Sequence, residues 1–126
     1  MEKLILESTL NSPRVVLDPE AGMFEFSGES RPENVRNFYM PILEWLEQFG
    51  KEISGAYTFS FNFEYFNSTS AKYLLDIFKV LQSIRGTGSE IQVKWHYEED
   101  DEDMYEVGME MSRMSNLPFD YVKVEI

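Results

Sequence analysis

Hydrophobic and polar residues alternate most regularly in "AYTFSFNFEYF", residues 56–66. Tyr57, Phe59, Phe61, Phe63 and Tyr65 share one face of the extended chain, and Thr58, Ser60, Asn62 and Glu64 the other. That period predicts a strand with one buried and one wet face, so helices should cover only one side of its sheet. Weaker versions of the pattern predict strands in "KLILES", "PRVVLD", "MFEFSG", "EIQVKWHY" and the closing "FDYVKVEI". The second and third of these join as a hairpin across Asp18 to Gly22.

Three stretches follow the helical period instead. Val35, Phe38, Ile42, Trp45, Leu46 and Phe49 form the stripe of a first helix. Ser30 and Glu33 have capping-box spacing, with Pro32 in the first turn. Pro41 should kink this helix and Gly50 should stop it. A second helix begins near Ser68 to Ser70, runs to about Ile84 and closes in "RGTG". The third is "EEDDEDMYEVGMEMSRMSN", whose acidic front suits a helix N-terminus and whose stripe is Met104, Val107, Met111 and Met114. The order β-β-β-α-β-α-β-α-β predicts one α/β domain over residues 1–126, a mixed sheet with helices packed mainly on one face.

Composition narrows the function classes. A chain of 126 residues with 43% hydrophobic content can fold around one core. It has no cysteine, which excludes disulfides and thiolate metal sites. Lys and Arg total 11 against 23 Asp and Glu, a net charge of -12, which repels nucleic acid and anionic lipid. The first residues, "MEKLILESTL", are too short an apolar run for a secretory leader, and no stretch is long enough to span a bilayer. A cytoplasmic protein is the expectation.

Chemistry concentrates in "EYFNSTSAK", residues 64–72, where three adjacent hydroxyls, Ser68, Thr69 and Ser70, stand between a strand and a helix. Unpaired backbone N–H groups at such a junction favour negative charge. Asn67, Ser68, Thr69 or Ser70 can each cap the helix. One cap needs one side chain, so the spare hydroxyls suit a phospho-acceptor, although from spacing alone the cap is the stronger reading. His96, the sole histidine, lies in a strand with no partner histidine. The acidic run Glu98 to Asp103 lacks the calcium-loop spacing, and "RGTGSE" lacks a phosphate-binding lysine. No metal site or cofactor is expected. An enzyme using Ser68, Thr69 or Asp76 would need a base the sequence does not offer.

The helix behind the hydroxyls is apolar around most of its circumference. Ala71, Leu74, Leu75, Phe78 and Leu81 form one stripe, and Tyr73, Ile77, Val80 and Ile84 an adjoining one. Polar residues hold only the arc of Lys72, Asp76, Lys79 and Ser83. Such a helix is either buried by two neighbours, the preferred reading, or lends one stripe to a partner.

Four stretches, "GESRPEN", "EYFNSTSAK", "VKWHY" and "PFDY", together resemble the SiaC family of small bacterial regulatory phosphoproteins. The resemblance implies a fold like the STAS domain of anti-sigma-factor antagonists and no catalytic activity. It implies a switch set by a dedicated protein kinase and a metal-dependent, PP2C-like phosphatase. In the characterised branch, the unphosphorylated form activates a diguanylate cyclase. The family pattern places the acceptor on Ser68, whereas the STAS pattern places it on Thr69; Ser68 is preferred because the closer family supports it. The partner surface is then expected to include Tyr65, Asn67, Ser70, Lys72, Tyr73 and Ile77, with one hydroxyl capping the helix and another acting as the switch. The competing expectation is a constitutive interaction module that uses the apolar face of the 69–84 helix without phosphorylation.

Overall fold

The computed structural model describes residues 1–125. Nine elements follow the expected order: β1 (Leu4–Leu6), β2 (Arg14–Asp18), β3 (Met23–Ser30), α1 (Val35–Glu52), β4 (Ala56–Phe66), α2 (Ser68–Gly86), β5 (Glu90–Glu98), α3 (Glu102–Ser115) and β6 (Phe119–Val124). The expected end of the last strand, Ile126, lies outside the described residues. The strands form one sheet in sequence order, β1-β2-β3-β4-β5-β6. The β1–β2 and β2–β3 pairs are antiparallel. The pairs from β3 to β6 are parallel. Each parallel connection carries one helix, and right-handed crossovers between adjacent strands leave all three helices on the same face.

That face is the core. Phe24 and Phe26 from β3, Phe59, Phe61 and Phe63 from β4, and Val93 and Trp95 from β5 are buried beneath the helices. Trp95 anchors α3: its indole N–H donates to the Met104 carbonyl at 2.9 Å. A Cβ on Gly108 would lie 2.5 Å from the same ring, so only glycine lets α3 approach this closely. The other face of the sheet is polar. Thr58 donates to Gln92 at 3.1 Å and Gln92 to Asp120 at 2.7 Å, a side-chain ladder across three strands. His96 lies on this open side, its pKa held below the ordinary value by partial burial and then by Lys94, with Glu25 opposing.

Several local expectations are corrected. Ser30 does not begin a capping box: it is the buried last residue of β3, and Asn34 caps α1 by accepting from the Asn37 N–H at 3.1 Å. Gly50 does not end α1, which continues to Glu52. It is instead a contact glycine, since a Cβ there would meet Ile84 Cγ1 at 2.6 Å. The helix runs through Pro41, which sits on its exposed side.

Tyr65 does not share the buried face of Phe59, Phe61 and Phe63. Gly28 pairs with Phe63 but Glu29 pairs with Tyr65, so Glu64 is an extra residue in β4. This bulge reverses the alternation. Tyr65 turns outward, 50% exposed, and Phe66 turns in against Trp95 with ring centroids 6.0 Å apart.

Candidate functional site

The β4–α2 junction is pinned to the end of β3. The Ser30 carbonyl accepts from the Asn67 N–H at 3.1 Å and from the Ser70 hydroxyl at 3.0 Å. The Ser30 hydroxyl donates to Ser70 Oγ at 2.9 Å, and it is also hydrogen-bonded to the Tyr39 hydroxyl. Each hydroxyl has one proton to give, so the order is settled: Tyr39 donates to Ser30, Ser30 to Ser70, and Ser70 to the Ser30 carbonyl. All three side chains are fully buried. Burial pushes the Tyr39 pKa up to about 12, with the neighbouring Ser30 and Ser70 hydroxyls opposing the rise.

The three adjacent hydroxyls therefore have three different surroundings. Ser70 is structural, which removes it from the expected partner surface. Asn67, not a hydroxyl, caps α2: its side-chain oxygen accepts from the Ser70 N–H at 2.9 Å and from the Thr69 hydroxyl at 3.1 Å. The expectation that one hydroxyl caps the helix is thus corrected; an asparagine just before the helix reaches the third N–H without strain. Ser68 and Thr69 are both exposed at the first two helical positions. Their backbone N–H groups precede the first intrahelical bond and point out of the helix.

Helical geometry then separates the two. Thr69 lies one turn before Tyr73, which is half-buried and stacks on Tyr39 of α1 with centroids 5.7 Å apart. Ser68 faces the other way, into a groove of about 620 Å³ between α2 and α3. Ala71 and Leu75 of α2 and Val107, Met111 and Met114 of α3 make its apolar lining. Lys72 stands on the α2 wall, and Asp103, Glu106 and Glu110 on the α3 wall. Of the expected partner residues, Tyr65 and Lys72 are exposed. Ile77 is not available: it is 0% exposed, because α2 turns that position into the core.

Sequence reasoning preferred burial for the apolar groove residues and offered Ala71 and Leu75 to a partner only through the alternative of an interaction module on the 69–84 helix. The signal was present in the adjoining stripes of α2 and in the methionine spacing of α3, but core was the preferred reading of both. Met114, expected in the buried stripe, is 51% exposed.

Acid–base chemistry finds no support at this junction. His96 lies on the opposite face of the sheet from α2. Asp76 is seven and eight residues from Thr69 and Ser68, a rise of roughly 10–12 Å along the helix. Among the described residues no cluster of His, Asp or Glu is arranged to hold a metal ion. No described helix is long and apolar enough to cross a membrane.

A mixed sheet covered on one face, with accessible hydroxyls opening the helix after a central strand, defines a STAS-like regulatory domain. Residues 6–124 match the family described as SiaC family regulatory phosphoprotein, and the chain belongs to that family. An uncharacterized protein of Pseudomonas aeruginosa strain UCBPP-PA14 is 26% identical over 119 residues, 94% of each chain. The crystal structure of apo-SiaC from P. aeruginosa superposes with a TM-score of 0.87 at 25% identity, covering 97% of this chain and 99% of that one. SiaC in complex with the diguanylate cyclase SiaD, whose activator it is, superposes with a TM-score of 0.89 at 25% identity, covering 96% and 99%. The family is one of regulatory proteins, and this chain is a regulator rather than an enzyme.

Proposed function

We propose that the chain is a phosphorylation-controlled partner switch with Ser68 as acceptor. A protein kinase adds the phosphoryl group in the cytoplasm and a PP2C-like phosphatase removes it. The unphosphorylated form binds and regulates a downstream effector, for which a diguanylate cyclase is the leading candidate, since the relative SiaC activates one. One observation carries the choice of site: an exposed hydroxyl at the first position of α2 opens directly onto the apolar groove between α2 and α3. Thr69 is the second candidate; its hydroxyl is engaged with the cap, whereas no hydrogen bond holds that of Ser68 among the described residues.

A phosphoryl group on Ser68 brings nearly two negative charges and three strongly hydrated oxygens to the mouth of an apolar surface. Covering the groove would then require removing water from that dianion. The test is peptide mass spectrometry of residues 64–72 from native cells, followed by cyclase assays with the Ser68→Ala protein. Phosphate on Ser68, with cyclase activation by Ser68→Ala and none by the phosphorylated protein, is the expected result. A peptide that carries no phosphate even with phosphatase activity blocked would favour the constitutive module, for which the groove is equally suited.

A further inference from the structure

The groove is electrically two-sided, which bears on how the phosphate at Ser68 acts. The α2 wall is positive: it carries Lys72 and the free N–H groups at the start of the helix. The α3 wall is negative, with Asp103, Glu106 and Glu110 along it. Arg113 offsets part of that wall through an ion pair with Glu110 at 2.7 Å, whereas Asp103, in the first turn of α3, and Glu106 have no ion-pair partner among the described residues. Ser68 and Lys72 are one turn apart on the same side of α2, so they share the positive wall. In a chain of net charge -12, two further negative charges matter little in total. They matter locally, because they reverse the sign of the only positive wall of the groove.

We infer that the segment which fits this groove is itself two-sided: an apolar stripe bordered by acidic residues on the edge meeting Ser68 and Lys72, and by basic residues on the edge meeting α3. The inference rests on the reading of Ser68 as acceptor and names the chemistry of the partner surface. It also assigns Lys72 as the residue that lets the partner tell the two forms apart. In the unphosphorylated protein Lys72 pairs with a carboxylate of the partner. In the phosphorylated protein it is neutralised by the phosphate, and the same carboxylate meets net negative charge. Like-charge contact then adds to the desolvation cost, and the preferred occupant changes from a two-sided segment to one basic on both edges.

The experiment uses the full chain and three synthetic peptides that share one apolar stripe. Their edges are acidic and basic, basic on both sides, or acidic on both sides. Binding is measured by fluorescence anisotropy at two salt concentrations for three proteins: unphosphorylated, carrying phosphoserine installed at position 68 during translation, and Lys72→Glu. The unphosphorylated chain should bind the two-sided peptide best. Phosphoserine should weaken that peptide roughly tenfold at low salt and move the preference to the doubly basic one. Lys72→Glu, an exposed substitution whose folding is verified by circular dichroism, should reproduce the change of preference without any phosphate. The inference is overturned if phosphoserine weakens all three peptides alike, if Lys72→Glu leaves the ranking unchanged, or if no peptide binds at millimolar concentration. Because the phosphoserine is placed by translation, absence of phosphate in native cells would sink the proposed switch while leaving this result standing.

Discussion

The two flanks of α2 are built to different ends. Toward α1 the contact is tight over the first turns, where Tyr73 stacks on Tyr39 and Ile77 is fully buried, and only a smaller cleft of about 330 Å³ opens at the far end, lined by Gly50, Val80 and Ile84. Toward α3 it opens at the Ser68 end into a groove whose apolar lining reaches solvent, with Met114 half exposed. One helix, apolar around most of its circumference, thus buries one flank over its first turns and leaves part of the other open to solvent. The buried chain of hydroxyls from Tyr39 to Ser70 fixes the closed flank to the sheet. It also holds Ser68 in place without engaging it.

Substitutions on the closed flank should therefore cost stability, and those on the open flank should cost only binding. The largest effect is expected from Ile77→Asp, which places a carboxylate in the core. Urea denaturation should show a loss of about 4 kcal/mol or more, and any loss of partner binding in this variant reports unfolding rather than an interface.

Next comes alkaline pH. Tyr39 ionises near 10.0 when exposed and at about 12 in the folded protein, so the folded state favours the neutral phenol. Its contribution is fully present below pH 10, declines as the pH rises, and is lost as the pH passes through about 12. The full difference is on the order of 2–3 kcal/mol. Stability profiles of wild type and Tyr39→Phe should accordingly converge between those two pH values; parallel profiles would contradict the buried network.

Ser70→Ala comes third, because it leaves the Ser30 hydroxyl proton without an acceptor. Thermal denaturation should register a loss of about 1–3 kcal/mol. The smallest effect belongs to the open flank: Met114→Gln should change stability by no more than about 0.5 kcal/mol. It should nevertheless weaken effector binding in a titration. A Met114→Gln protein as destabilised as Ser70→Ala would erase the distinction between the flanks.

Much of the architecture was legible before folding. The alternation of β4 and the helical stripes predicted every element in order, because side-chain period follows directly from backbone geometry. The Trp95 anchor lay inside one of the family stretches, although its role was not readable from them. The errors have a common cause. Ser30 at the start of a capping box, Gly50 as a stop, Tyr65 in the core and Ile77 on the surface were each inferred from local spacing, and each was decided by a distant segment. Ser30 answers to Ser70 and Tyr39, and Gly50 to Ile84. Tyr65 was turned outward by a bulge that only the pairing of β4 with β3 reveals.

What the sequence determined by itself is the element order, the single apolar face of the sheet, and three hydroxyls at a strand-to-helix junction with a positive helix end behind them. All of these follow from chain-local period and composition. Tertiary structure alone decided which hydroxyl is buried, which is tied to the cap and which is free. It also decided that the free one faces an apolar groove with walls of opposite sign. Those facts depend on the angle at which each helix meets its neighbours, and that angle is set by side-chain packing between segments far apart in the chain.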